Sequence, residues 1–189
     1  MMKEYFPILK PTIVTICYGW NDHWAAGFDI EDKEQKMPPQ FLLDMQNDLS
    51  ESYLYRTIKY LLLSNYERQK EYTYDRKSPK YRVSLVDYRA NLEAMIDYCR
   101  ENSTTPIVIT SPAGDADPLV ENGMERYHSA YNDVAREVAA SKSVALVDAA
   151  AVFRDHPEYY DDPRKDLIHY NAFGAAKIAA MIAGQISRQ

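Results

Sequence analysis

Residues 12–24, with the sequence TIVTICYGWNDHW, hold a short apolar segment followed directly by a polar turn. The apolar half is rich in β-branched residues and stops at Gly19, which is typical of a buried strand. Two later runs, at 106–110 and about 143–147, have the same form. Together with the first run, at about 12–18, they predict three strands of a parallel sheet.

Helical patterns separate these strands. One apolar helical face runs from residue 84 to 101, and a second runs from about 121 to 141. A last helix follows Asn171 as its N-cap and carries a narrow face of small residues suited to packing on a sheet. The alternation of strand and helix predicts an α/β fold with right-handed crossovers.

The chain has 189 residues and is 46% hydrophobic, which is enough for one domain with a core of its own. Residues from about 30 to 82 interrupt the strand and helix rhythm with an acidic stretch, Pro38-Pro39 and a charged helical segment. We interpret them as a long crossover insertion, with a helix predicted over 49–66. Residues 1–189 are thus predicted to form a single domain.

The charge balance and the hydropathy exclude two classes of partner. With 22 basic and 28 acidic residues, the chain has a formal net charge of -6 and no positive field that would attract nucleic acid. No apolar run approaches the roughly 20 residues that span a bilayer, and the first seven residues lack a signal-peptide core. We expect a cytoplasmic protein that binds no nucleic acid and has no membrane span.

The turn after the first strand carries the first candidate site. In open α/β sheets ligands bind beyond the carboxyl ends of the strands, where Gly19-Trp20-Asn21-Asp22 is predicted to lie. The amide of Asn21 can donate to a developing oxyanion, and Gly19 lets the backbone approach a substrate. Glycine, asparagine and aspartate are also ordinary turn residues, so the local pattern alone leaves both interpretations open.

A second candidate site precedes the last helix. In Asp166-Leu167-Ile168-His169 a carboxylate stands three residues before a histidine, in what we expect to be a loop. This spacing lets Asp166 accept a hydrogen bond from one imidazole nitrogen of His169 and leaves the other as a general base. The same spacing is common as a helix cap or surface pair, so its weight comes from its predicted position near Asn21.

These two motifs resemble blocks of the SGNH hydrolase superfamily, which is also called GDSL-like. The family has Gly-x-Asn-Asp after a strand and Asp-x-x-His before the last helix, as in 19–22 and 166–169 here. The resemblance implies a flavodoxin-like three-layer α/β/α fold and hydrolysis of a small ester through an acyl-serine intermediate, without a cofactor. Asn21 would serve the oxyanion hole, His169 would be the general base, and Asp166 would orient it.

The residues around Asn21 are the candidate substrate-binding residues that this resemblance implies. They are Gly19, Trp20, Asp22, His23 and Trp24. The two tryptophans and the histidine would form a wall for an acyl group or a sugar, or they would simply pack beside the strand end.

The chain departs from the family in its first two blocks. Members carry a Gly-Asp-Ser block with the nucleophile on the first strand and a glycine block after the second. None of the six glycines here has a serine two residues later. We therefore expect a fold that lacks its first two strands. Ser111, after the second predicted strand, is a weak candidate for a substitute nucleophile.

This departure has a structural consequence. In the flavodoxin-like order the missing first strand would lie beside residues 12–18, whose hydrogen-bonding edge would otherwise be bare. We predict that this edge pairs with a second copy, giving a homodimer, or with a separately supplied N-terminal segment.

Three functions compete at this point. The first is an ester hydrolase whose nucleophile lies outside this chain, and the second is an inactive binding or assembly module that keeps only the scaffold. The third, a hydrolytic metal site built from Asp166, His169 and either His23 or His128, has no recognisable ligand spacing, so we predict no metal.

Overall fold

The computed structural model describes residues 2–23, 26, 30–36, 38–72, 80–112, 124–162 and 166–188, without the side chains of 64–72, 124–127, 166 and 167. The chain divides into two compact units, Met1–His23 with Leu85–Gln189 and Trp24–Ser84. The second unit covers the segment that the sequence analysis interprets as an insertion.

Helices and strands alternate along most of the described chain. The helices are α1 Met2–Leu9, α2 Gln40–Ser50, α3 Tyr53–Tyr72, α4 Leu85–Glu101, α5 Met124–Ser141, α6 Ala149–Phe153 and α7 Ala172–Ile186. The strands are β1 Ile13–Ile16, β2 Thr105–Ile109, β3 Ala145–Val147, β4 Tyr160–Asp162 and β5 Asp166–Tyr170.

The first three strands form one parallel sheet in the order β1-β2-β3. Ile16 lies opposite Val108, and Ile109 lies opposite Val147. The predicted parallel sheet is therefore confirmed, with each strand slightly shorter than expected. Because the strands are parallel, their carboxyl ends share one edge of the sheet, which we call the carboxyl edge.

Helices cover both faces of this sheet, as the three-layer prediction requires. Successive side chains of β2 point to opposite faces, so Ile107 and Ile109 share one face while Val108 lies on the other. The first face packs on Ile178 of α7 in one buried cluster. Helices α4 and α5 pack together and contact the sheet as well. Their buried faces supply the rest of the core, including Leu92, Ile96, Tyr131 and Val138.

The edge strand β1 is less completely covered than β2. Within residues 2–23 and the other described ranges, no further strand pairs with the outer edge of β1. On the α7 side of the sheet, Ile13 is half-buried and Thr15 is exposed, whereas Ile107 in β2 is fully buried.

The second unit contains α2 and α3 where the sequence predicts one helix over 49–66. The helix is interrupted at Glu51 and Ser52, and the side chain of Ser52 accepts a weak hydrogen bond from the amide of Tyr55. The competition of serine side chains with helical hydrogen bonding favours such a break. Elsewhere in this unit Arg82 donates to both carboxylate oxygens of Asp32, at 3.1 and 2.9 Å.

None of the helices within the described ranges is both long enough and apolar enough to cross a membrane.

Candidate active site

The turn after β1 depends on Gly19. Its φ of +114° lies in the region that favours glycine. A Cβ atom at this position would lie 3.3 Å from Cβ of Tyr131 and 3.4 Å from the hydroxyl of Tyr88. Because Gly19 has no side chain, the backbone of the turn can pack directly against the side chains of Tyr88 in α4 and Tyr131 in α5.

Side chains bind the carbonyl groups of the residues around Asn21. Tyr88 donates to the carbonyl of Tyr18 at 3.2 Å, and Tyr131 donates to the carbonyl of Asp22 at 3.3 Å. Nδ1 of His23 lies 3.2 Å from the carbonyl oxygen of Gly19, which can only accept, so this nitrogen carries the proton. We call residues 18–23 the oxyanion loop, after the role that the sequence analysis predicts for Asn21. Asn21 itself is exposed.

Burial sets the protonation of two of these donors. Burial, together with the charge of Asp22, raises the pKa of Tyr88, so its hydroxyl keeps its proton at physiological pH. Burial also lowers the pKa of His23, which favours the neutral imidazole.

The rings of Trp20 and His23 in the oxyanion loop pack with the ring of His128 in α5. The ring of Trp20 lies 5.0 Å from that of His23 and 4.4 Å from that of His128, measured between centroids. The two imidazoles are 5.1 Å apart. Trp20 and His23 therefore pack against the protein, which favours the packing interpretation for both. Trp24 lies outside the described residues.

The end of β2 is bound by two side chains of α5. Asn132 accepts a hydrogen bond from the amide of Ser111 at 2.9 Å and donates to its carbonyl at 2.9 Å. Nε2 of His128 lies 2.9 Å from the same carbonyl oxygen. The hydroxyl of Ser111 lies 3.8 Å from the thiol of Cys17. The imidazole of His128 thus reaches the backbone of Ser111, and the proposal of Ser111 as a nucleophile gains no support from it.

The end of β3 carries a third polar group. Asp148 accepts hydrogen bonds from Nε and Nη2 of Arg136, both at 2.9 Å, and from the hydroxyl of Thr110 at 2.9 Å. It also caps α6 through the amide of Ala151. Burial alone would raise the pKa of Asp148, but these hydrogen bonds outweigh it and lower the pKa. Its partners are all structural, so we assign this group to the scaffold.

The Asp166 to His169 motif lies in a strand, where the sequence analysis predicted a loop. β5 pairs antiparallel with β4, with Tyr170 opposite Tyr160 and Asp166 opposite Asp162. The prediction of a loop was wrong because this segment pairs with β4, and its Ile168 and Tyr170 are residues that favour strands. His169 is exposed, and the side chain of Asp166 lies outside the described residues.

The direction of α7 places the start of this helix at the carboxyl edge. Near its N-terminus, Gly174 packs against Phe153, which follows β3 in the chain. Near its C-terminus, Gln185 donates to the carbonyl of Leu146 within β3 at 3.0 Å. Helix α7 therefore runs antiparallel to β3. Its N-cap Asn171, two residues after His169, lies toward the edge of the sheet that carries the oxyanion loop.

The structure thus brings the predicted site residues at the ends of β1 and β2 together. Gly19, Trp20, Asn21 and the residues that follow form one loop at the end of β1, and Ser111 lies at the end of the neighbouring strand. That the side chains of Asn21 and His169 converge on one substrate stays a prediction.

Two buried histidines, His23 and His128, lie in this region, and the sequence analysis considered each as a metal ligand. In the part of the chain that the structure describes, no group of three or more histidine, cysteine, aspartate or glutamate side chains is arranged to hold a metal ion. His23 and His128 instead direct a nitrogen at a backbone carbonyl.

Comparison with known proteins supports the fold. Two solved structures superpose on nearly the whole chain. The acetylxylan esterase Axe2 from Geobacillus stearothermophilus has a TM-score of 0.56 and 18% identity, covering 98% of this chain and 65% of that one. The α/β hydrolase LAE5 from the metagenome of Lake Arreo has a TM-score of 0.55 and 20% identity, covering 97% and 65%. The chain therefore spans about 65% of the length of both.

No curated protein sequence matches the chain significantly. The sequence profile of the GDSL-like Lipase/Acylhydrolase family, however, matches residues 1–177, which is most of the chain. With its Gly-x-Asn-Asp turn at the end of β1 and its three-layer α/β/α architecture, the chain belongs to the GDSL-like lipase/acylhydrolase family.

Proposed function

We propose that this chain carries the oxyanion-stabilising and proton-transferring part of an ester hydrolase. In this proposal the amide of Asn21 donates to the oxyanion of the tetrahedral intermediate, and His169 takes the proton of a serine nucleophile. Asp166 accepts a hydrogen bond from His169 and keeps the imidazole oriented. The acyl group passes to the serine, and water then releases it as a carboxylic acid.

One observation carries this proposal: the loop that contains Asn21 lies at the carboxyl edge of the sheet and is preorganised by hydrogen bonds to its backbone. Preorganised donors stabilise a developing charge without reorganising during the reaction, which is why they contribute strongly to catalysis. The hydrogen bonds from Tyr88 and Tyr131 to the backbone around Asn21 provide such support. Membership of the GDSL-like family and the direction of α7 support the assignment of His169 as the base.

The serine nucleophile would come from outside the 189 residues. The chain has no Gly-x-Ser sequence, and among the described residues the hydroxyl of Ser111 contacts the thiol of Cys17 rather than a base. We infer that a segment with a Gly-Asp-Ser strand pairs with the outer edge of β1, the one edge of this strand that β2 leaves open. The sequence encoded upstream of Met1 is the first place to search for it.

The substrate class is a small ester. Acetylated sugars are the first candidates to assay, since Axe2 is an acetylxylan esterase of the same fold. A catalytically inactive binding or assembly module is the second candidate function, and the missing Gly-x-Ser sequence is the observation that favours it.

The deciding experiment measures hydrolysis of aryl acetates and acetylated xylo-oligosaccharides by the chain alone and by the chain extended with the upstream Gly-Asp-Ser segment. In the active form we expect His169→Ala to lower kcat by about 10⁴-fold or more. We expect Asn21→Ala to lower kcat by about 10²- to 10³-fold.

His156→Ala is the matched control for these variants. His156 also has a carboxylate partner, with Nδ1 2.7 Å from Glu158, but it lies outside the Asp-x-x-His motif. We expect this variant to keep the activity of the wild type. An extended chain that hydrolyses none of these esters would favour the inactive module, and equal activity of the wild type and His169→Ala would remove His169 from the mechanism.

A further inference from the structure

His128 connects two loops at the carboxyl edge. Its Nε2 lies 2.9 Å from the carbonyl oxygen of Ser111 at the end of β2, while its ring meets the ring of Trp20 edge to face. The residue is only 3% exposed. One side chain of α5 therefore contacts both the end of β2 and the residue next to Asn21.

The hydrogen bond defines the state of this imidazole. A carbonyl oxygen only accepts, so Nε2 of His128 must carry the proton, and in the neutral ring Nδ1 then carries a lone pair. Burial is the main cause that lowers the pKa of His128 to about 4, and the nearby His23 lowers it further. At physiological pH the ring is neutral, and its Nε2 proton is hydrogen-bonded to the carbonyl of Ser111. His128 is therefore suited to hold this backbone in place rather than to transfer a proton.

A second residue of α5 helps to define this role. Asn132, one helical turn after His128, binds both the amide and the carbonyl of Ser111. The end of β2 is thus fixed to α5 by Asn132 as well. His128 differs from Asn132 because its ring also packs on Trp20, so it extends this attachment to the oxyanion loop.

We propose that His128 is a positioning residue for Asn21, holding Trp20 and thereby the oxyanion loop against the end of β2. This role rests on the proposed function only for what Asn21 does in catalysis. The other half of the proposal, that the order of the oxyanion loop depends on His128, can be tested without any enzymatic activity.

The test uses NMR of the full chain with three variants. His128→Phe keeps a ring beside Trp20 and loses the hydrogen bond to Ser111, whereas His128→Gln keeps a donor and loses the ring. Val138→Ala, a fully buried position on the same helix ten residues later, is the matched control. 5-Fluorotryptophan gives one resonance for each of the two tryptophans, and Trp20→Phe assigns them.

We expect the backbone order parameters of residues 20–22 to fall from about 0.85 to below about 0.6 in both His128 variants, with a shifted resonance for Trp20. Val138→Ala should lower the melting temperature and leave these order parameters unchanged. Unchanged order in His128→Phe and His128→Gln, or an equal loss in Val138→Ala, would overturn the proposal.

A measurement on the wild type keeps the proposal testable if the variants do not fold. The ¹⁵N shifts of the His128 ring should show the Nε2–H tautomer at pH 7, and an Nδ1–H tautomer would contradict the geometry on which the proposal depends. In the enzyme completed with its nucleophile segment, kcat of His128→Phe should fall about tenfold at unchanged KM. If no form hydrolyses esters, the proposed function fails, and the NMR results still decide the role of His128.

Discussion

At the scale of single residues, the oxyanion loop is stabilised mainly by what surrounds its backbone. Gly19 allows the chain to pass against Tyr88 and Tyr131, and the hydroxyl groups of these two tyrosines then bind the carbonyls on either side of Asn21. The carbonyls of Tyr18 and Asp22 therefore each have a side-chain donor, which fixes the backbone on both sides of Asn21. Asn21 itself is exposed, as its proposed role at the substrate requires.

The first prediction concerns Gly19. Gly19→Ala places a methyl group 3.3 Å from Tyr131 and forces a φ that L residues rarely adopt. We expect it to lower the free energy of unfolding by about 1–3 kcal/mol, measured by urea denaturation. Gly184→Ala is the matched control because its Cβ would meet no atom within 4 Å, and in the interior of α7 it should stabilise by about 0.5–1 kcal/mol. Equal effects at both positions would contradict the role of Gly19.

The second prediction concerns the pH dependence of stability. His128 has a pKa of about 4 in the folded chain, below its ordinary value of 6.5, so the unfolded chain binds the proton more readily. Its contribution to stability is therefore complete above pH 6.5 and is lost as the pH falls toward 4. The loss amounts to about 3 kcal/mol, at about 1.36 kcal/mol for each pKa unit.

Urea denaturation between pH 7 and pH 4 measures this loss. Since burial lowers the pKa of His23 as well, the wild type alone does not separate the two histidines. His128→Gln should show a shallower fall in the free energy of unfolding over this range. A parallel pH dependence of His128→Gln and the wild type would assign the effect to other groups.

The sequence shows some of these residues more clearly than others. Gly19 and Asn21 stand directly after an apolar run, so their position at a strand end is predictable from local pattern. His128 and Asn132 lie in a helix about a hundred residues later, and their contact with Ser111 depends on how α5 packs on the sheet. Their contacts with Ser111 can therefore be seen only in the three-dimensional structure.

At the scale of elements, the start of α7 and the β4–β5 hairpin form one connected unit. The side chain of Asn171 accepts hydrogen bonds from the amides of Phe173 and Gly174, which caps the helix. The same side chain donates to the carbonyls of Glu158 and Tyr160, both at 2.9 Å. Asn171 thus attaches the start of α7 to Glu158 and Tyr160. Tyr160 begins β4, which pairs with β5, the strand that contains His169.

The third prediction follows from this double role. Asn171→Ala removes the cap and leaves two carbonyls without their donor, so we expect a loss of about 2–4 kcal/mol in the free energy of unfolding. Asn171→Ser keeps an acceptor for the cap and loses the two hydrogen bonds to the carbonyls, so its loss should be intermediate. Chemical denaturation of both variants measures the difference. Equal losses would show that the cap itself contributes little.

Element boundaries were predictable where one periodicity dominates. The 3.6-residue pattern of α4 and the β-branched run of β1 predict both elements within a few residues. β4 and β5 are short, and the aspartates and Pro163 of this stretch of sequence are as typical of an irregular loop as of two paired strands. Their pairing depends on how Phe153 and Tyr160 pack, which a local pattern does not contain.

At the scale of the whole molecule, the family and the α/β architecture followed from two motifs and the order of elements. The break in the strand and helix rhythm predicts an insertion at about 30–82, and the second compact unit, Trp24–Ser84, covers that segment. Helix α7 covers one face of the sheet with few of its own residues fully buried. Helix α7 buries only Gly174 and Ile178, and Phe173 is 76% exposed.

The fourth prediction concerns the outer edge of β1. The carbonyl of Thr12 accepts from the amide of Thr105 in β2, so alternate residues of β1, including Val14, face β2. Thr15 therefore directs its backbone groups away from β2. If this edge pairs with a second copy, the wild type should sediment at about twice 21.8 kDa at micromolar concentration.

Thr15→Pro separates edge pairing from the stability of the sheet. Proline removes the outward amide and leaves the hydrogen bonds to β2 intact, so we expect a folded monomer with an unchanged circular dichroism spectrum. Val14→Pro removes an inward amide and should instead disrupt the sheet. A wild type that is monomeric throughout, or a Thr15→Pro variant that sediments like the wild type, would exclude self-association through β1. In that case the open edge would be left for the segment that supplies the nucleophile.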